Sequence, residues 1–197
     1  RRLDPEQARA CHDAQARETL NTVSQYLALV ADQVKLHDGT LDKYIGDCVM
    51  AFWGAPTSNP RHAVDCVRAA VAAQRAIARL NRERERHNAA LSDPEQALPL
   101  LSLGTGINTG FATVGLMGSD AHILNYTVFG REVNVASRLE GLSGRGRIVI
   151  SEATYHHLLR DDPALAATCR KLPAATVKGI RGELEVYEMS WAEGDVD

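Results

Sequence analysis

Two stretches of this chain place charged and polar side chains where they could act on a charged ligand. The first is Gly39 to Pro56, GTLDKYIGDCVMAFWGAP, in which Lys43 stands four residues before Asp47. The second is Arg131 to Leu142, in which Asn134 and Arg138 are spaced i and i+4 and so project side by side from one helical face. A carboxylate, an ammonium and a guanidinium on rigid elements are tools for binding and neutralising charge. Each also has a plain reading: Asp47 as an ordinary turn residue, Lys43 as a snorkelling lysine, Arg138 as a surface helix arginine. Taken alone, the hairpin is read at least as well in the plain way.

The elements that hold these residues can be laid out from the pattern. Gly46-Asp47 favours a tight hairpin. Its first strand alternates, with Leu41, Lys43 and Ile45 on one face and Asp42 and Tyr44 on the other. Its second, Cys48 to Trp53, is apolar on both faces, which predicts cover on both sides. Before the hairpin, Asp4-Pro5 starts a helix that runs without Gly or Pro to Leu36, with Val23, Tyr26, Leu27, Val30 and Val34 at helical spacing. After it, Pro60 opens a second helix with Ala63, Val67, Ala70, Gln74 and Ile77 in line. This helix ends in the alternating charges of Arg82 to Arg86, which suggest a solvated end.

His87 to Pro99 reads as a loop, followed by strands over Leu100 to Ile107 and Phe111 to Leu116. Gly104 and Gly106 share a strand face, which predicts close approach by another backbone or a ligand. The run GTGINTG has the spacing GxGxxxG and is followed by a strand, so it is not a dinucleotide-binding loop. Tyr126 to Phe129 is a short strand broken by Gly130. The helix from Arg131 then turns Val135, Leu139 and Leu142 to the core. Ile148 to Ile150 is a buried strand, Ser151 caps a short helix, and Cys169 to Val177 with Glu183 to Met189 form a closing pair around Lys178-Gly179. Hairpins without a strict parallel rhythm indicate an α+β fold, one mixed sheet with helices.

Composition bounds the function. The 197 residues, 45% hydrophobic, can bury one core, so residues 1–197 read as a single domain. A net charge of -3 without a dense basic run excludes a general nucleic-acid binder. No apolar stretch is long enough for a membrane span and no signal peptide opens the chain; a cytoplasmic domain is expected. RRLDPEQ reads as the interior of a longer chain. The four cysteines form no CxxC pair and read as reduced thiols; the seven histidines show no metal spacing.

Four motifs then fall in one order: LDKYIGDCVMAFWGAP, LGTGINTGFATVGLMGS, NYTVFGREVNVASRLEGL and VKGIRGELEVYEM. Together, from about Leu3 to Met189, they resemble the catalytic domain of the class III nucleotide cyclases, and bacterial adenylate cyclases in particular. The resemblance implies a ferredoxin-like mixed sheet with flanking helices. It also implies a head-to-tail homodimer with active sites between subunits, and conversion of ATP to 3′,5′-cyclic AMP and pyrophosphate with two divalent cations, magnesium or manganese. By resemblance, Asp47 matches the second metal-binding aspartate, Lys43 and Thr127 the purine-reading pair, Asn134 the ribose-positioning residue, Arg138 the transition-state residue and Lys178 a triphosphate contact.

The chemistry suits those types. The substrate carries its own nucleophile, so the protein mainly positions groups and neutralises charge; magnesium prefers carboxylates, and arginine is a fixed, permanently charged fork. Adenine has an acceptor at N1 for Lys43 and a donor at N6 for Thr127, a polarity that guanine reverses. The family's opening strand, F-x-D-I-x-G-F-T with the first metal aspartate, is not found, since the chain starts in the helix region that would follow it. Arg131-Glu132 also departs from the Asp or Asn and Thr of many relatives. A second reading implied by the resemblance is a non-catalytic cyclase homology domain acting as a nucleotide-binding or regulatory dimerisation module. A diguanylate cyclase would need a GGDEF-like hairpin, and this one reads YIGDC.

Overall fold

A computed structural model describes residues 5–93, 96–119, 123–176 and 182–192, with the side chains of Asp13 and of Gln15 onward in the first helix. Helix α1 (Pro5–Leu36) leads into the hairpin β1 (Thr40–Ile45) and β2 (Cys48–Phe52), and helix α2 (His62–Ala89) follows. Next come β3 (Thr105–Ile107), β4 (Thr113–Gly118), β5 (Leu124–Phe129) and α3 (Arg131–Ser143). Then β6 (Ile148–Ser151), α4 (Glu152–Asp161), α5 (Pro163–Ala167), β7 (Cys169–Lys171), β8 (Ala175–Thr176), β9 (Glu183–Leu184) and β10 (Val186–Met189) complete the order. The Asp4 cap expected for α1 lies outside the described residues.

The core is built around β6. Its residues alternate between two helical layers, as a strand buried on both faces must. Ile148 and Ile150 pack with Val64, Val67 and Ala70 of α2, Leu158 of α4 and Ala166 of α5. Val149, between them, packs on the other side with Val135 and Leu139 of α3. All three β6 side chains are fully buried, and each contributes about 1.5–3 kcal/mol relative to exposure. Within its sheet, β6 runs parallel to β3 and antiparallel to β10, which carries β7 on its far side. Ser151 then ends the strand and starts α4, its hydroxyl accepting from the Thr154 amide at 3.2 Å, the cap expected from the sequence.

The α+β class with a mixed sheet holds, but its ladders are divided among the described residues. β1–β2, β4–β5 and β8–β9 each form a two-stranded ribbon beside the four-stranded sheet. The closing pair is therefore split: Cys169 faces Met189 and Thr176 faces Glu183 on separate ladders.

Five local expectations are corrected. Leu100 to Gly104 is not strand; it is extended chain strapped along α2 by amide side chains one heptad apart. Gln74 donates to the Leu103 carbonyl at 2.6 Å, while Asn81 and Asn88 each donate to and accept from the backbone of Leu101 and Leu98. These bonds meet the segment's backbone polarity without a partner strand. His87 lies in α2 rather than in a loop, and the charged end of α2 is not wholly solvated. Arg84 is buried there, donating to the Pro99 carbonyl at 2.6 Å and to Gln25 Oε1 at 2.9 Å. Cys48 of β2 is exposed and the rest of that strand only half-buried, because no element covers both of its faces among the described residues. Leu142 points outward from α3, while Val135 and Leu139 are buried as expected.

Candidate active site

The hairpin does not alternate as the sequence suggests. Leu41 pairs with Ala51 and Lys43 with the next residue, Met50, so Asp42 is an extra residue in β1. Such a bulge re-aims side chains that regular pleating sends to opposite faces. Here both Asp42 and Lys43 reach Thr127 of β5. Lys43 Nζ donates to Thr127 Oγ1 at 3.0 Å and lies 3.1 Å from Asp42 Oδ1. The Thr127 hydroxyl donates to Asp42 Oδ2 at 2.7 Å, and the Val128 amide donates to the same oxygen at 3.2 Å. Asp42's side chain is 0% exposed and Lys43's 41%; Thr127 is buried. A buried carboxylate needs such partners. The base-reading pair expected from the motifs, 84 residues apart in sequence, is thus one contact, with Asp42 a third member that the sequence reading placed on the wrong face.

Asn134 and Arg138 extend from the exposed face of α3 and make no hydrogen bond or ion pair with another described side chain, leaving their polar atoms open. Their opposite face is fixed. The helix begins at Gly130, whose φ of 138° suits glycine. It lies flush on β3, because a Cβ at Gly106 would run into the Ala136 carbonyl oxygen and the Glu140 amide nitrogen. That is the close backbone approach predicted for this glycine. Asn108, after β3, ties the first turn down by donating to the Glu132 carbonyl at 3.0 Å and to Glu132 Oε2 at 2.9 Å. Asn108 was not singled out from the sequence. Its place in the turn NTG was the available signal, since asparagine commonly bonds local backbone.

Asp47 is exposed at the hairpin tip, after Gly46 at a φ of 62°. Tyr26 of α1 is pushed up to about 12 by burial and then by the negative charges of Cys48, Asp47 and Glu140. The Cys48 thiol, partly desolvated although its residue is exposed, is raised by that desolvation first, then by Glu140 and Asp47. The hairpin tip, α1 and the second half of α3 therefore share one electrostatic neighbourhood. No group of three His, Cys, Asp or Glu among the described residues is placed to hold a metal ion. Asp47's carboxylate fits one ligand to a hard cation, but these residues do not by themselves build a two-cation cage. Lys178 lies outside the described residues. A cleft of about 410 Å³ lined by His37, Arg68, Arg75 and Leu165 contains none of the candidate residues; Asp47, Asn134 and Arg138 are exposed and Lys43 partly so, while Thr127 is buried.

The sequence profile described as the adenylate and guanylate cyclase catalytic domain matches residues 6–190. The chain is 33% identical over 173 residues to adenylate cyclase 1 of Rhizobium meliloti (strain 1021), covering 87% of this chain and 24% of that protein. It is 31% identical over 175 residues to an adenylate cyclase of Anabaena cylindrica, covering 87% of this chain and 32% of that one. The chain thus spans a quarter to a third of the length of these curated relatives. Among solved structures, the adenylyl cyclase CyaB from P. aeruginosa superposes with a TM-score of 0.71 at 31% identity, covering 90% of this chain and 85% of that one. The guanylyl cyclase Cya2 gives 0.74 at 26% identity, covering 92% and 85%. With its profile matched from the first helix to the last strand, the chain belongs to the adenylate and guanylate cyclase catalytic domain family.

Proposed function

We propose that this domain is an adenylate cyclase, converting ATP to 3′,5′-cyclic AMP and pyrophosphate between two copies of the chain. One observation carries the choice of ATP: the Lys43–Thr127 contact. Lys43 can only donate, so it suits the N1 acceptor of adenine. The Thr127 oxygen, its proton directed to Asp42, suits the N6 donor. On binding, the base takes over the place that Lys43's own hydrogen bond now fills at Thr127.

The reaction is an internal displacement. The ribose 3′-oxygen attacks the α-phosphorus, the bond from that phosphorus to the bridging oxygen breaks, and pyrophosphate carries off the electron pair. Arg138 meets the charge that builds on the phosphate oxygens, and Asn134, one turn earlier on the same face, orients the ribose. Lys178 contacts the triphosphate. Asp47 would give one carboxylate ligand to the magnesium or manganese that such a triphosphate brings; bound there, the metal would supply charge neutralisation and acidification of the 3′-hydroxyl.

An open site favours completion by a second subunit. Leu116, Met117, Ile123, Leu124 and Phe129 are all exposed on or beside the β4–β5 ribbon, with Tyr44 and Ile45 on the hairpin. Exposed apolar side chains on both faces of this ribbon suit an interface with another chain. The alternative, a non-catalytic homology domain, draws on the single carboxylate at the hairpin tip. The test is to incubate the protein with ATP and magnesium or manganese and identify the product, for wild type and Arg138→Ala. Cyclic AMP from the wild type, with kcat reduced about 10²–10³-fold in the variant, is expected. Tight ATP binding with no product from the full-length protein decides for the non-catalytic reading.

A further inference from the structure

We propose that Asp42 sets the purine selectivity of this site by fixing the direction of the Thr127 hydroxyl, an assignment that rests on the adenylate cyclase function proposed above. A threonine hydroxyl donates or accepts with equal ease, so by itself it cannot distinguish the 6-amino group of adenine from a 6-oxo group. Asp42 removes that freedom. Its Oδ2 lies 2.7 Å from Thr127 Oγ1 and is anchored from behind by the Val128 amide at 3.2 Å. A carboxylate has no proton to give, so Thr127 must donate inward and present only lone pairs outward. The other carboxylate oxygen, 3.1 Å from Lys43 Nζ, braces the ammonium that reads N1. One buried side chain thus orients both members of the base-reading pair, and the bulge in β1 is what brings it there.

Asp42 is a positioning residue in this scheme, because it acts through Thr127 and Lys43. The competing explanation is that it merely neutralises Lys43 inside the fold. The two separate with a pair of substrates that differ only at the N1 and 6 positions, ATP and inosine triphosphate. In Asp42→Ala, the acceptor that holds the Thr127 proton inward is gone. The hydroxyl is then free to donate outward, towards a 6-oxo group. The ratio of kcat/KM for ATP over inosine triphosphate, and the matching ratio of dissociation constants, should fall about tenfold, as expected when one buried hydrogen bond loses its fixed polarity. Asp42→Glu, still a pure acceptor, should retain the wild-type ratio. Asp42→Ser, which also lacks the carboxylate, serves if the Ala variant gives no cooperative melt, and its ratio should fall as well.

A wild type that discriminates between the two nucleotides, with an unchanged ratio in Asp42→Ala or Asp42→Ser and only a lower Tm, overturns the role of Asp42 and leaves the adenylate cyclase reading standing. A wild type that does not discriminate overturns both.

Discussion

At Thr127 a single oxygen carries much of the discrimination expected of this site. It receives a hydrogen bond from Lys43 and gives one to Asp42, so replacing it tests adenine recognition without touching the phosphate end. Thr127→Val keeps the shape and removes the acceptor. It should lower kcat/KM for ATP about tenfold, mostly through KM, while the unpartnered Asp42 lowers Tm; steady-state kinetics and a thermal melt read the two effects separately. Lys43, Thr127, Asn134, Arg138 and Asp47 could be named from the sequence because motifs fix residue identity. Asp42 lies in the same motif, yet period-2 alternation puts it on the opposite face, because that pattern assumes an unbroken ladder. A bulge is set by how β1 meets its partners, information that neighbouring letters do not contain.

Elements rather than single residues hold Arg138 in place. α3 rests on β3 through Gly106 and is tied down by Asn108, and β6 below it is locked to β10. Glu188 of β10 accepts from Arg147 at 3.1 Å and from Arg170, directly opposite on β7, at 2.7 Å. Burial alone pushes the Glu188 carboxyl up, but hydrogen bonds and charge from these two arginines prevail and hold it below its ordinary value of 4.5. A carboxylate depressed in the folded state stabilises fully above its unfolded value and loses that contribution as pH falls through the folded one. Glu188→Gln should therefore cost about 1 kcal/mol or less at neutral pH, since the group is partly exposed. The difference in Tm between variant and wild type should vanish as the pH is lowered below 4.5; chemical or thermal denaturation at stepped pH measures it. The helices and the β6 strand were legible because their apolar periods are long or their runs fully buried. The segment before β3 was not. Its apolar letters read as a strand, yet its hydrogen bonds go to Gln74, Asn81 and Asn88, a pairing of side chain with backbone across a loop that no local pattern announces.

For the whole molecule, the open position of the candidate residues and the exposed apolar ribbon make the second subunit part of the proposed site. If Asp47 serves one active site of the dimer and Arg138 the other, two inactive variants should rescue each other. An equal mixture of Asp47→Ala and Arg138→Ala should regain about a quarter of wild-type activity, since half of random dimers are mixed and each holds one intact site. No recovery on mixing, with exchange of subunits verified, places both residues in the same subunit's site. The most direct measurement is the ratio of kcat/KM for ATP over GTP, with product identified as cyclic AMP or cyclic GMP, in wild type and in Lys43→Glu. An adenine site built on Lys43 and Thr127 predicts a strong preference for ATP that Lys43→Glu erodes by both losing ATP turnover and relaxing towards GTP. Equal use of the two nucleotides by the wild type, or unchanged ATP kinetics in Lys43→Glu, contradicts it.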